Sequence, residues 1–163
     1  MIHYKKGDLL ELAKEGKFQY IIHGCNCFNT MGAGIAAQIA KKFPSAERTD
    51  SVTRSGSNRK LGDYTIAVDS NNMGKPLYIV NAYTQYKPGA DFKLFALEMF
   101  LWRFKQDYLL PYDDGLNDIA IKIGVPWIGC GIGGGKKSEV KRVLYQFAAS
   151  TPLVDLTIVE YKP

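Results

Sequence analysis

The stretch Gly129-Cys130-Gly131-Ile132-Gly133-Gly134-Gly135 carries the plainest chemical signal in the chain. An apolar run precedes it and a helical pattern follows. Glycine lacks a Cβ, so a backbone rich in it can adopt positive φ and bring its N–H groups close to an anion. A helix N-terminus just beyond would add its dipole. The loop therefore reads as a phosphate cradle. A second glycine loop, Gly32-Ala33-Gly34-Ile35-Ala36-Ala37, has the same setting of strand, loop and helix. Together the two could clamp both phosphates of a pyrophosphate. The competing reading is tight helix–strand packing with a flexible turn.

Other residue types around these loops suit a sugar and a base. Asn26 follows a strand and precedes the first glycine loop. Its amide both donates and accepts, which suits a ribose diol, or it closes an Asx turn. Asp8, at a strand end, can accept from an adenine amino group or cap the next helix. His23 lies in an apolar strand one residue before Gly24, as a core histidine or as a general acid/base. Cys25, Cys27 and Cys130 are an odd set that makes no disulfide framework and reads as small packers near the pocket. Cys25-x-Cys27 is too tight for the usual zinc pair and has no second pair to join, so neither a metal nor a cofactor is expected. Gly135-Lys136-Lys137 lacks the ending of a P-loop. Asn26 to Met31 intervene between strand and first glycine loop, which argues against a dinucleotide fingerprint.

The elements that must hold these residues follow from pattern. Strands are predicted at Ile2–Lys5, Gln19–His23, Tyr64–Val68, Leu77–Ala82, Ile119–Ile123 and Thr157–Tyr161. Helices are predicted at Leu9–Lys14, from Gly32 to Phe43, from Pro44 to about Thr53, from an Asp91 cap to near Leu110-Pro111, and from a Ser138 cap to Ala148. Asn71-Asn72-Met73-Gly74 supplies the turn of a hairpin, so the sheet is mixed. Tyr112-Asp113-Asp114-Gly115 reads as a loop. Strand–helix alternation predicts a mixed sheet with helices on both faces. Such sheets bind ligands beyond the carboxyl ends of their strands.

Composition bounds the rest. The 163 residues suit one domain, 1–163, and the 46% hydrophobic content is that of a globular chain. No apolar run approaches the roughly 20 residues of a membrane span, and no signal-like segment opens the chain. A cytoplasmic monomer is expected. The charge of +5 favours an anionic ligand. Its lysines are dispersed, so nucleic acid is not expected as the primary ligand.

Taken together, Gly7-Asp8-Leu9-Leu10, His23-Gly24-Cys25-Asn26, Met31 to Ala36, Val80-Asn81-Ala82 and Val125 to Gly134 resemble, in order and across the chain, the macro domain, an ADP-ribose-binding fold. The resemblance implies a three-layer α/β/α sandwich with a six- or seven-stranded mixed sheet and ADP-ribose or ADP-ribose 1″-phosphate as ligand. It makes Asp8, with Leu9 beside it, the adenine-binding position and Asn26 the contact to the distal ribose. Gly32, Ala33, Gly34 and Ile35 become the first phosphate loop, and Gly131, Ile132, Gly133 and Gly134 the second. Tyr161 becomes an adenine-stacking aromatic. The loops look most like the branch holding the yeast-type ADP-ribose 1″-phosphate phosphatases, the terminal ADP-ribose glycohydrolases and the DNA ADP-ribose-removing antitoxins. The last two rely on a lysine where this chain has Gln85, with Lys87 two residues on. The terminal glycohydrolases need an aspartate where this chain has Gly133, and other macro hydrolases a histidine where it has Met31. The reading is a phosphatase with Asn26 and His23 as its catalytic residues. The alternatives are an ADP-ribosyl hydrolase acting on protein or DNA, with Lys87 as the replacement, and a non-catalytic ADP-ribose reader.

Overall fold

The computed structural model describes residues 1–112 and 119–163. Most of the loop read at 112–115 lies outside the described residues. Six strands form one sheet in the order β1-β6-β5-β2-β4-β3. They are β1 (Ile2–Gly7), β2 (Tyr20–Cys25), β3 (Tyr64–Ser70), β4 (Pro76–Tyr83), β5 (Ile121–Val125) and β6 (Val154–Tyr161). All neighbours run parallel except β3 and β4, which form the hairpin that Asn71-Asn72-Met73-Gly74 predicts. At that turn Gly74 has φ +73° and the Asn71 side chain accepts from the Met73 amide at 2.9 Å.

The helices are α1 (Leu9–Lys14), α2 (Gly34–Lys42), α3 (Pro44–Ser51), α4 (Leu94–Phe104) and α5 (Lys137–Ala149). Residues of successive strand positions point to opposite faces, and each face has its own core. Ile22, Val80 and Leu156 join α4 and α5 on one side. Ile21, Ile79 and Val159 join α1, α2 and α3 on the other. The result is the expected three-layer sandwich. Phe100 and Phe104 of α4 stack at 5.6 Å with no exposure, so truncating either to alanine costs about 3–5 kcal/mol.

Three local expectations need correction. Asp91 does not cap α4; the cap is Lys93, and the Asp91 carboxylate instead accepts the Lys87 amide at 2.8 Å. Ser138 does not cap α5, because that helix begins at Lys137 with Lys136 at its cap, two residues earlier than expected. The helical run after α4 does continue to Tyr112, but as a π-turn (Lys105–Leu109) and a 3-10 turn (Leu110–Tyr112). Pro111 lacks the N–H that a continued α pattern would need. Of the apolar residues that suggested α4, Phe95 and Trp102 point to solvent, at 54% and 64% exposure, and Met99 lies against Gly62.

Candidate functional site

The parallel strands present their carboxyl ends on one edge of the sheet, and a cavity of about 620 Å³ lies there. It extends from Asp8, just past β1, to Thr84 and Gln85, just past β4. That path crosses the ends of β6, β5 and β2.

Asp8 does both things its position allows. Its Oδ1 accepts the Leu10 and Glu11 amides at 3.0 and 3.2 Å, capping α1, while the residue also lines the cavity with Leu9. Tyr161, at the end of β6, lines the same end of the cavity and is 65% exposed.

The first glycine loop opens α2. Ala33 occupies the cap position with no side-chain hydrogen bond, and Gly34 starts the helix at φ +57°. The amides of the first turn are therefore left to an outside acceptor. Gly32, Ala33, Gly34 and Ile35 all line the cavity. In the second loop Gly131, Ile132 and Gly133 line it, and their amides donate to no protein group among the described residues. Ile132 Cδ1 lies 3.5 Å from where a Cβ on Gly34 would be, so the two loops face each other at side-chain contact distance. Gly134 is not brought to the wall; with φ +77° and its amide on the Gly131 carbonyl at 3.2 Å, it turns the chain instead.

The second loop is braced from outside. Phe92 donates its amide to the Gly133 carbonyl at 3.1 Å. A side chain on Gly129, whose φ is +73°, would overlap the Phe92 ring. Gly133 has no room for one either, because its Cβ would meet the Gly129 carbonyl at 2.8 Å and Gln85 Oε1 at 3.0 Å. Gln85 itself donates to the Lys87 and Gly89 carbonyls at 2.7 and 2.9 Å. Its head is thus fixed at the end of the cavity between the 87–89 turn and the second loop. Lys87 is exposed and not on the wall.

Asn26 is on the wall and tightly held. Its Nδ2 donates to the Thr30 carbonyl and hydroxyl at 3.0 and 2.8 Å, and its Oδ1 accepts the Phe28 amide at 2.8 Å. The Asx turn is real, and it orients the amide it uses. Asn29, at φ +57°, anchors the same loop through Lys60 at 2.6 Å and the Thr53 carbonyl at 2.6 Å.

His23 is corrected. It is wholly buried and absent from the cavity wall, with Nε2 2.7 Å from Asn81 Oδ1. Burial lowers its pKa to about 4, against a smaller raising effect of the Asn81 hydrogen bond. It sits in the core, set back from the cavity. The cysteines are not activated: burial raises Cys25, Cys27 and Cys130, and Lys137 only partly offsets this at Cys130. Among the described residues, no group of three or more His, Cys, Asp or Glu could hold a metal ion, and no helix is long and apolar enough to cross a membrane.

Several wall residues escaped the sequence reading. Lys137 is the only cation on the wall among the described residues, paired with Glu160 at 2.8 Å. Trp127 lines the mouth beneath it, with Nζ 5.5 Å from the ring centroid. Thr84 lines the far end, fully buried, and its hydroxyl has no hydrogen-bond partner among the described residues. Its place directly after β4 was the one available signal.

No family model matches the chain. It is 34% identical over 166 residues to an uncharacterised 17.5 kDa protein of Enterobacteria phage T4, covering 100% of this chain and 98% of that one. It is 27% identical over 169 residues to an ADP-ribose 1″-phosphate phosphatase of Saccharomyces cerevisiae, covering 90% and 93%. A DNA ADP-ribosyl glycohydrolase of Mycobacterium tuberculosis is 28% identical over 170 residues, covering 97% of this chain but only 42% of the glycohydrolase. The solved macrodomain of Mycobacterium tuberculosis DarG superposes with a TM-score of 0.71 at 26% identity, over 100% of this chain and 98% of that one. With the sheet order, the edge cavity and these likenesses in agreement, the chain belongs to the macrodomain family.

Proposed function

We propose that this macrodomain binds ADP-ribose in the edge cavity and hydrolyses ADP-ribose 1″-phosphate to ADP-ribose and phosphate. The observation that carries the reading is the pair of opposed amide-bearing loops at the middle of a long cavity. A ligand with a pyrophosphate between two riboses matches that layout: adenine at Asp8 and Tyr161, distal ribose at Asn26 and toward Thr84 and Gln85. The relatives with named activities act on ADP-ribose derivatives, which supports the ligand class. In the reaction, water adds to phosphorus, the bond to the ribose oxygen breaks, and that oxygen takes up a proton. Loop amides stabilise charge on the phosphoryl oxygens. Asn26 orients the distal ribose and the attacking water.

Asn26→Ala is expected to lower phosphate release at least a hundredfold, by analogy with loss of one charge-stabilising amide. Asn26→Asp keeps the acceptor for the Phe28 amide but loses the donation to the Thr30 carbonyl, so it too should lower release. Unchanged release in both variants would overturn the assignment.

The whole-domain likeness to a DNA ADP-ribosyl glycohydrolase favours a second reading, removal of ADP-ribose from a macromolecule. Gln85 supplies no amine nucleophile, and Lys87 would have to leave the surface to reach the cavity. Release of labelled ADP-ribose from modified DNA or protein, lost in Lys87→Ala, would decide for it. Ligand binding with neither reaction would make the domain a reader.

A further inference from the structure

We infer that the strip of surface running from the cavity mouth along α5 and β1 binds single-stranded nucleic acid. Lys137, Lys141 and Tyr145 fall at i, i+4 and i+8 of α5 and so share one face of that helix. Tyr4 of β1 meets this face. Its ring centroid is 6.1 Å from that of Tyr145 and 6.2 Å from that of Trp127. Lys141 Nζ sits 5.5 Å from the Tyr4 ring and 5.8 Å from the Tyr145 ring, as Lys137 sits over Trp127. Rings and ammonium groups therefore alternate along about 12 Å of helix. Tyr4 and Tyr145 remain 46% and 41% exposed. Lys6, exposed two residues beyond Tyr4 and on the same side of the strand, extends the positive end.

Glu160 is an acidic group facing this strip; it is paired with Lys137 and lies near Lys6 and Trp127. Stacking surfaces interleaved with cations hold single strands with little regard to sequence, because every base offers a π face and every link a phosphate. A duplex hides those faces. An acidic peptide would use the lysines but leave the rings idle. Trp127 and Lys137 also line the cavity, so a strand on the strip runs into its mouth. The inference stands apart from the proposed activity, since plain oligonucleotide tests it.

The experiment is polarisation of a labelled oligothymidylate of about 12 nucleotides, titrated with protein at several salt concentrations. Saturable binding that weakens as salt rises is expected. The variant Lys141→Gln/Tyr145→Ala lies outside the cavity; it should melt like the parent, bind ADP-ribose like the parent, and lose at least tenfold in oligonucleotide affinity. Tyr145→Phe should keep that affinity, because the ring does the stacking. No binding at low salt would overturn the inference, as would equal affinity of the double variant. Equal competition by a duplex, or by polyphosphate that carries no bases, would overturn it too, leaving only a general anion surface.

Discussion

Protonating His23 inside the fold would place a cation beside the Asn81 amide and the Cys25 thiol, with one carboxamide oxygen as its strong acceptor. The folded pKa of about 4 lies below the unfolded value of 6.5, so the unfolded chain binds this proton first. Stability then rises with pH across that window and falls as pH drops from 6.5 toward 4, by about 3 kcal/mol in all. Urea midpoints at pH 7 and pH 4.5 should differ accordingly, and the difference should shrink in His23→Gln. Equal midpoints in the parent would mean that His23 meets water. Thr84 works the other way. Its buried hydroxyl has no partner among the described residues, so Thr84→Val should gain about 1 kcal/mol in the same denaturation assay. A loss would mean that the hydroxyl is satisfied in solution. The sequence showed Asp8 as a cap because the amides it accepts are only two and three residues away. It could not assign His23, because the deciding partner is Asn81, 58 residues distant.

The second glycine loop is shaped by a neighbour as much as by its own residues. Gly129→Ala would force positive φ on a side chain and drive that side chain into Phe92. It should cost at least about 2 kcal/mol and weaken ADP-ribose binding by displacing the amides of Gly131 to Gly133. Gly131 offers the contrast, with nothing within 4 Å of its Cβ position. Gly131→Ala should melt within about 0.5 kcal/mol of the parent while placing a methyl group in the cavity. Paired melting and calorimetric titrations check both; an unperturbed Gly129→Ala would show that Phe92 yields. The glycine run announced this loop from composition alone. Its brace comes from the segment between β4 and α4, where the sequence offered only an aspartate that looked like a cap and proved to hold the Lys87 amide. Ser138 misled for a related reason: polar residues in a helix's first turn look alike until the hydrogen bonds are seen.

Across the whole molecule, the cavity is walled by α2 from one face of the sheet and by the loop leading into α5 from the other. A ligand seated between them binds only when both layers are in place, so it should stabilise the entire fold. ADP-ribose at a hundred times its Kd should add about 2.7 kcal/mol, a rise of roughly 5–10 °C in Tm for a chain of this size. An unmoved Tm at that concentration would place the ligand elsewhere. The alternation of strands and helices and the hairpin were legible from period and turn chemistry. The strand order was not, because β1 pairs with β6 from the far end of the chain and no local pattern records such a partner. The chain's two tryptophans fall on opposite sides of this division of labour. Trp102 stands in solvent on α4, whereas Trp127 forms part of the cavity mouth. The molecule thus carries an internal fluorophore at its entrance: in Trp102→Phe, emission on adding ADP-ribose becomes a single-site optical reading of who enters and how fast.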